Sequence, residues 1–233
     1  RRCNLNCIHC KVTCGADVEN ELTPAEIDRI IPQFIEAGAF EVNVTGGEAF
    51  ARPDILEILS VLFSHDIMVH IQTNGTLVKD EHIALLEKNR ERLLKVGLSM
   101  YAGDPAVHDA VTRVPGSFER TFNTALKLKE RGLPSAVFTM LMSANSEHYK
   151  KTEEFFEKHG IVYQFGGLMI AREDGCLDPI SLRVLDEDLP DLPIPWETYL
   201  NPEPENAPDN STPETSISEW CIAGRYATVM PDG

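Results

Sequence analysis

Short runs rich in strand-forming residues alternate with amphipathic helical stretches along most of this chain, and that alternation restricts the fold more than any other feature. Thr23-Pro24-Ala25-Glu26 has the form of a capping box with proline at the first helical position. Ile27, Ile30, Ile31, Phe34 and Ile35 follow at helical spacing, and Gly38 supplies a stop. Pro32 inside this pattern predicts a kink. Strands are predicted at 41–45, 67–73, 94–100 and 136–142, and a further one within 162–170. Helices are predicted at 53–64 and 79–89, from a cap at Ser117 to Arg131-Gly132, and from a cap at Ser146 to His159-Gly160. Strands joined through helices pair in parallel, so the expected class is α/β with a parallel sheet.

The six cysteines are not spread as a disulfide framework would be: Cys3, Cys7, Cys10 and Cys14 fall in the first fourteen residues, with Cys176 and Cys221 far away. No secretion signal opens the chain and no apolar run is long enough for a membrane helix. Crowded thiols in that setting read as metal binding in a reducing cytoplasm. The formal net charge of -16 argues against a broad nucleic-acid surface and fits a solvated acidic exterior.

Cys3-Asn4-Leu5-Asn6-Cys7-Ile8-His9-Cys10 has the spacing C-x3-C-x2-C. Three thiolates so close can hold three corners of an iron–sulfur cube. Three ligands leave one iron open, and a vacant position on a metal marks chemistry rather than scaffolding. A non-catalytic zinc site completed by His9 or Cys14 is the alternative at this stage. Cys14 reads as a plain loop cysteine.

The same residues resemble the signature of the radical S-adenosylmethionine (radical SAM) superfamily. The resemblance continues through Gly46-Gly47-Glu48 after the next strand, Thr73-Asn74-Gly75, the strand that ends near Ser99, and the stretch from Asp104 to Phe118, and it covers the chain from Cys3 to about Arg183. Lys11 departs from it, since many relatives carry an aromatic residue there. The resemblance implies a partial (β/α)6 TIM-like barrel of parallel strands with outer helices. Only two residues precede Cys3, so its first strand is expected to lie upstream of this chain. It also implies that Cys3, Cys7 and Cys10 bind a catalytic [4Fe-4S] cluster. Reduction of S-adenosylmethionine there would yield a 5′-deoxyadenosyl radical that takes hydrogen from a substrate.

By the same resemblance, Gly46, Gly47 and Glu48 bind the methionine amino group of the cofactor, Gly46 and Gly47 allowing close backbone approach. Ser99 lies near the ribose or carboxylate. Arg113 has two readings, a partner for the methionine carboxylate or a surface ion pair. Asn145 also has two, a ribose contact or a helix cap. His108 and Asp109 are read as loop-packing residues, and Gly166-Gly167 as room for adenine near 168–170.

Prolines and acids dominate 178–217, which reads as a connector after a core of 1–177. Trp220-Cys221 and the following residues to Gly233 resemble the start of a SPASM or twitch domain, in which Cys221 would bind an auxiliary iron–sulfur cluster. Cys176 is read as a bystander. The expected substrate is a peptide or protein, or alternatively a small molecule in cofactor or haem biosynthesis. The expected electron donor is a flavodoxin or ferredoxin.

Overall fold

The computed structural model describes residues 2–12, 14, 21–166 and 169–184. Helix α1 (Pro24–Glu36) starts on the expected capping box: Thr23 Oγ1 accepts from the Glu26 N–H, and Glu26 accepts from the Thr23 N–H at 2.8 Å. It continues through Pro32 to Glu36, with Ile31 buried against the core. Strand β1 (Glu41–Val44) is followed by a short 3-10 turn at Ala49–Ala51 and helix α2 (Ile55–Ser64). Then come β2 (Met68–Thr73), α3 (Asp80–Lys88), β3 (Leu93–Ser99), α4 (Pro105–Thr112) and α5 (Ser117–Glu130). The described part closes with β4 (Ser135–Met140), α6 (Tyr149–His159), β5 (Tyr163–Gly166) and a 3-10 turn at Asp178–Leu182.

Among the described residues the five strands form one sheet in the order β1-β2-β3-β4-β5, and every neighbouring pair is parallel. A doubly wound sheet reverses direction partway, whereas strand order that follows the chain is the order of a barrel wall. The architecture is therefore the expected α/β barrel segment.

Alternation along the strands separates two faces. Val69 and Ile71 of β2, Val96 and Leu98 of β3 and Val137 of β4 are at most 1% exposed. They pack with Leu59, Leu86, Leu128 and Phe156 of the outer helices in the main core. Burying each such aliphatic side chain is worth roughly 1.5–3 kcal/mol. The opposite face carries Asn43, His70, Gln72, Lys95, Gly97, Ser99 and Gln164 together with Ala136, Phe138 and Met140 of β4, a mixture of polar and apolar groups.

Two predicted caps are corrected. Ser117 is the first residue of α5, and the cap position belongs to Gly116 at φ 75°. The Ser117 hydroxyl is turned to Thr112 at 2.7 Å and to Asp109 at 2.8 Å, which removes it from capping. Asp109 does that work from α4. Its carboxylate accepts from the backbone N–H groups of Gly116 and Phe118 at 2.6 and 2.9 Å. Ser146 likewise does not cap α6; it opens a 3-10 turn, Ser146–His148, that runs into the helix.

Candidate functional site

The cysteine loop lies across the C-terminal ends of the strands because four different segments hydrogen-bond to it there. The Glu48 N–H, after β1, donates to the Arg2 carbonyl at 2.8 Å. Asn4 donates to Thr76 Oγ1 at 2.7 Å and accepts from Asn74 Nδ2 at 3.0 Å, both in the turn after β2. Asn6 and Ile8 N–H groups donate to the carbonyls of Thr112 and Val111 at the end of α4. The Glu173 N–H, beyond β5, donates to the Lys11 carbonyl. Behind Cys7 and Ile8 stands a small apolar cluster of Tyr101, Val111, Met142 and Met169, which joins the loops after β3, β4 and β5.

Gly46-Gly47-Glu48 abuts this loop. A Cβ on Gly47 would stand 2.1 Å from the Arg2 carbonyl oxygen and 3.2 Å from Cys3 Cβ, so only glycine permits the approach. Glu48 itself points inward and is 3% exposed. Its carboxylate accepts from Thr73 Oγ1 at 2.5 Å, the Asn74 N–H at 2.7 Å and the Phe50 N–H at 3.1 Å. Burial pushes its pKa up against the pull of those three bonds. In this structure Glu48 joins the ends of β1 and β2, a role separate from the amino-group contact expected from the sequence.

The thiols sit in contrasting surroundings. Cys14 Sγ is 3.7 Å from Cys10 Sγ. Hydrogen bonding from Cys14 is the main reason that Cys3 is lowered to about 7 and Cys10 to about 6, and it keeps Cys14 itself raised. Burial pushes Cys7 up to about 12, beside the Tyr101 hydroxyl. Cys14, read from the sequence as a plain loop residue, is therefore part of the thiol group.

The donor chemistry fits an iron–sulfur cluster: three cysteines of one short loop, two of them drawn toward thiolate, against an apolar wall. Among the described residues no group of three or more His, Cys, Asp or Glu side chains is drawn together around one point as a single-ion site would be.

The other expected positions are placed as follows. Ser99 ends β3 and is half-buried. Arg113 is exposed just after α4, with the left-handed backbone φ of 58°. Asn145 is 1% exposed. Its Oδ1 accepts from the Met142 N–H at 2.8 Å, and its Nδ2 donates to the carbonyls of Tyr101 and Met140. It occupies the cap position before the 3-10 turn Ser146–His148 but makes no side-chain cap bond there, and its amide ties the loops after β3 and β4 together. The Phe138 ring lies against Gly166, where a Cβ would meet it at 2.6 Å. Gly167, Leu168, Cys221, 185–217 and 218–233 lie outside the described residues.

Sequence reasoning missed Asn4, Thr76 and Tyr101, and understated His108. The ring of Tyr101 lies 4.7 Å from His9 and 5.5 Å from His108. His108 Nδ1 accepts from the Tyr101 N–H at 3.1 Å. Burial holds both histidines neutral, each lowered to about 4. The only hint in the sequence was position: Asn4 lies between two cysteines, and Tyr101 sits two residues past Ser99.

Fold and site together define a parallel α/β barrel protein with a cysteine loop clamped over the C-terminal rim of its sheet. The sequence pattern of the radical SAM superfamily matches residues 1–156, and the chain belongs to that family. The family uses a [4Fe-4S] cluster and S-adenosylmethionine, and its members among the relatives are enzymes. The AdoMet-dependent heme synthase of Methanosarcina barkeri is 32% identical over 162 residues, covering 69% of this chain and 46% of the relative. The antilisterial bacteriocin subtilosin biosynthesis protein AlbA of Bacillus subtilis is 30% identical over 132 residues, covering 57% of this chain and 29% of the relative. The structure of Streptococcus suis SuiB bound to S-adenosylmethionine superposes with a TM-score of 0.66 at 20% identity, covering 75% of this chain and 40% of SuiB. The chain thus spans less than half the length of these proteins. No helix among the described residues is long and apolar enough to cross a membrane.

Proposed function

We propose that this chain is the core, residues 1–177, of a cytoplasmic radical SAM enzyme that modifies a peptide or protein. The observation that carries the reading is the cysteine loop, with Gly47 pressed on Cys3 and four segments hydrogen-bonded to the loop. Cys3, Cys7 and Cys10 would hold the [4Fe-4S] cluster. When bound, that cluster with S-adenosylmethionine supplies one electron to split a carbon–sulfur bond and start hydrogen-atom abstraction from substrate. Gly46, Gly47 and Glu48 would bind the cofactor's amino group, with open space beside Gly46. Arg113, exposed after α4, would meet its carboxylate, and Ser99, at the end of β3, would lie near its ribose or carboxylate. Glu48, Asn4 and Asn145 position the loops through their bonds to neighbouring backbone and side chains. A flavodoxin or ferredoxin is the electron source, and 178–217 connect to an auxiliary-cluster domain that begins at residue 218 and in which Cys221 is a ligand.

Support for a peptide substrate comes from AlbA and from SuiB, which has also been solved bound to the precursor peptide SuiA. The 32% identity to a heme synthase favours a second reading, a step in haem or cofactor biosynthesis. Anaerobic reconstitution with iron and sulfide tests the shared part. The expected product is a brown protein with about four irons per chain that releases 5′-deoxyadenosine once reduced, and Cys7→Ala should abolish both. A colourless protein that binds zinc and cleaves no S-adenosylmethionine overturns the proposal. Intact mass of co-expressed peptides, set beside haem formation in a coupled assay, separates the two substrates.

A further inference from the structure

Three cysteines suffice for the proposed cluster, yet a fourth thiol reaches into the same pocket. Cys14 Sγ stands 3.7 Å from Cys10 Sγ. Cys10 Sγ also donates to the Val12 carbonyl at 3.2 Å, which orients it within the turn that leads to Cys14. Both cysteines are free and only half-buried, so small solutes reach them. A disulfide bond is about 2.05 Å long, so the two sulfurs need to close by about 1.7 Å. Side-chain rotation covers a movement of that size. A bridge from Cys14 to Cys3 would close a longer loop than a 10–14 bridge and have more chain to order.

We propose that Cys10 and Cys14 form a disulfide when the chain lacks its cluster and meets a peroxide, and that this bridge blocks cluster loading until a thiol reduces it. The inference rests on Cys10 being a cluster ligand. The Cys10 sulfur attacks hydrogen peroxide, breaking the O–O bond and leaving a sulfenic acid and one water. The Cys14 sulfur then attacks the sulfenic sulfur and releases a second water. Two thiols and one peroxide thereby give one disulfide and two waters, the sulfurs losing the two electrons that the peroxide gains. Thiol–disulfide exchange with an external dithiol restores both cysteines. A chain that has lost its cluster is in this way kept from over-oxidation at a ligand it needs later.

The test uses the full chain, stripped of iron by a chelator under reducing conditions and desalted. Treatment with hydrogen peroxide, alkylation of free thiols and peptide mass mapping should show a Cys10–Cys14 cross-link as the main product. The bridged protein should take up no iron with iron and sulfide alone, and should recover uptake after dithiothreitol. Cys14→Ser should load iron as wild type does before oxidation. After peroxide in the presence of dimedone, that variant should carry the adduct on Cys10, whereas wild type should not. A map without the Cys10–Cys14 cross-link, or a bridged protein that loads iron without a reductant, overturns the proposal. If the reduced, untreated chain takes up no iron, the cluster assignment fails instead, and the cross-link map still decides the bridge.

Discussion

Replacing Gly47 with alanine is expected to displace Cys3 and to lower iron loading. The new Cβ would lie 2.1 Å from the Arg2 carbonyl oxygen, 2.8 Å from the carbonyl carbon and 3.2 Å from Cys3 Cβ. An ordinary contact is about 3.5 Å, so the two backbone segments must separate by about 1.4 Å. The obstructing atoms are backbone, so no side chain can swing aside. The same movement pulls on the 2.8 Å bond from the Glu48 N–H to the Arg2 carbonyl. Overpacking of this kind costs about 1–3 kcal/mol, which in a chain of this size lowers the melting temperature by roughly 2–12 °C. A displacement beyond about 0.5 Å also exceeds what a metal-holding constellation tolerates. Iron per chain after anaerobic reconstitution should therefore fall well below wild type. Gly38→Ala is the control: at φ 93° with no atom within 4 Å of a built Cβ, it strains its own backbone far from the loop. Equal iron in the two variants would refute the argument that the glycine turn sets the position of Cys3.

Asp109→Ala removes the acceptor for Gly116 and Phe118 and should destabilise the chain by about 0.5–2 kcal/mol in a denaturant titration. Burial acts to raise the Asp109 pKa, but its hydrogen bonds from Phe118, Ser117 and Gly116 outweigh it and hold the group below the usual carboxylate range. Its contribution is thus complete above about pH 3.9 and lost as pH falls through the folded value, so the wild-type and variant midpoints should converge there. His108→Phe strands the buried Tyr101 N–H and should cost about 1–3 kcal/mol at neutral pH. Since the folded pKa of His108 is depressed to about 4, the wild type gives up His108-linked stability as pH drops below about 6.5. The gap to the variant should narrow over that window and stop changing below it. Asn4→Ala cuts the bonds to Thr76 and Asn74, and iron should pass faster from the reconstituted protein to a chelator; an unchanged release rate would deny Asn4 its role in holding the loop.

Periodicity made the alternation of strands and helices legible, since the pleat and the helical turn impose periods of about 2 and 3.6 on any half-buried element. The capping box at Thr23 was equally readable, being local chemistry among four residues. The caps of α5 and α6 were not. Ser117 has the right residue type, yet Asp109, eight positions earlier, outcompetes it for the exposed N–H groups. Propensity cannot reveal a competitor brought in by a turn of the chain. The candidate site divides in the same way. Cys3, Cys7 and Cys10 declare themselves by spacing, and Gly47 by its neighbours. Asn4, Tyr101 and His108 carry ordinary residue types whose meaning comes from what they touch.

Sequence alone determined the class of fold, the trio of thiols and the family, because each depends on residue type and short spacing. Tertiary structure decided what those residues do for one another. It turned Glu48 inward to join two strand ends, used up the Asn145 amide between loops, and brought Cys14 into contact with Cys10. The physical reason is that hydrogen bonds and sulfur contacts act over a few ångströms of space, and folding alone sets which distant residues come that close.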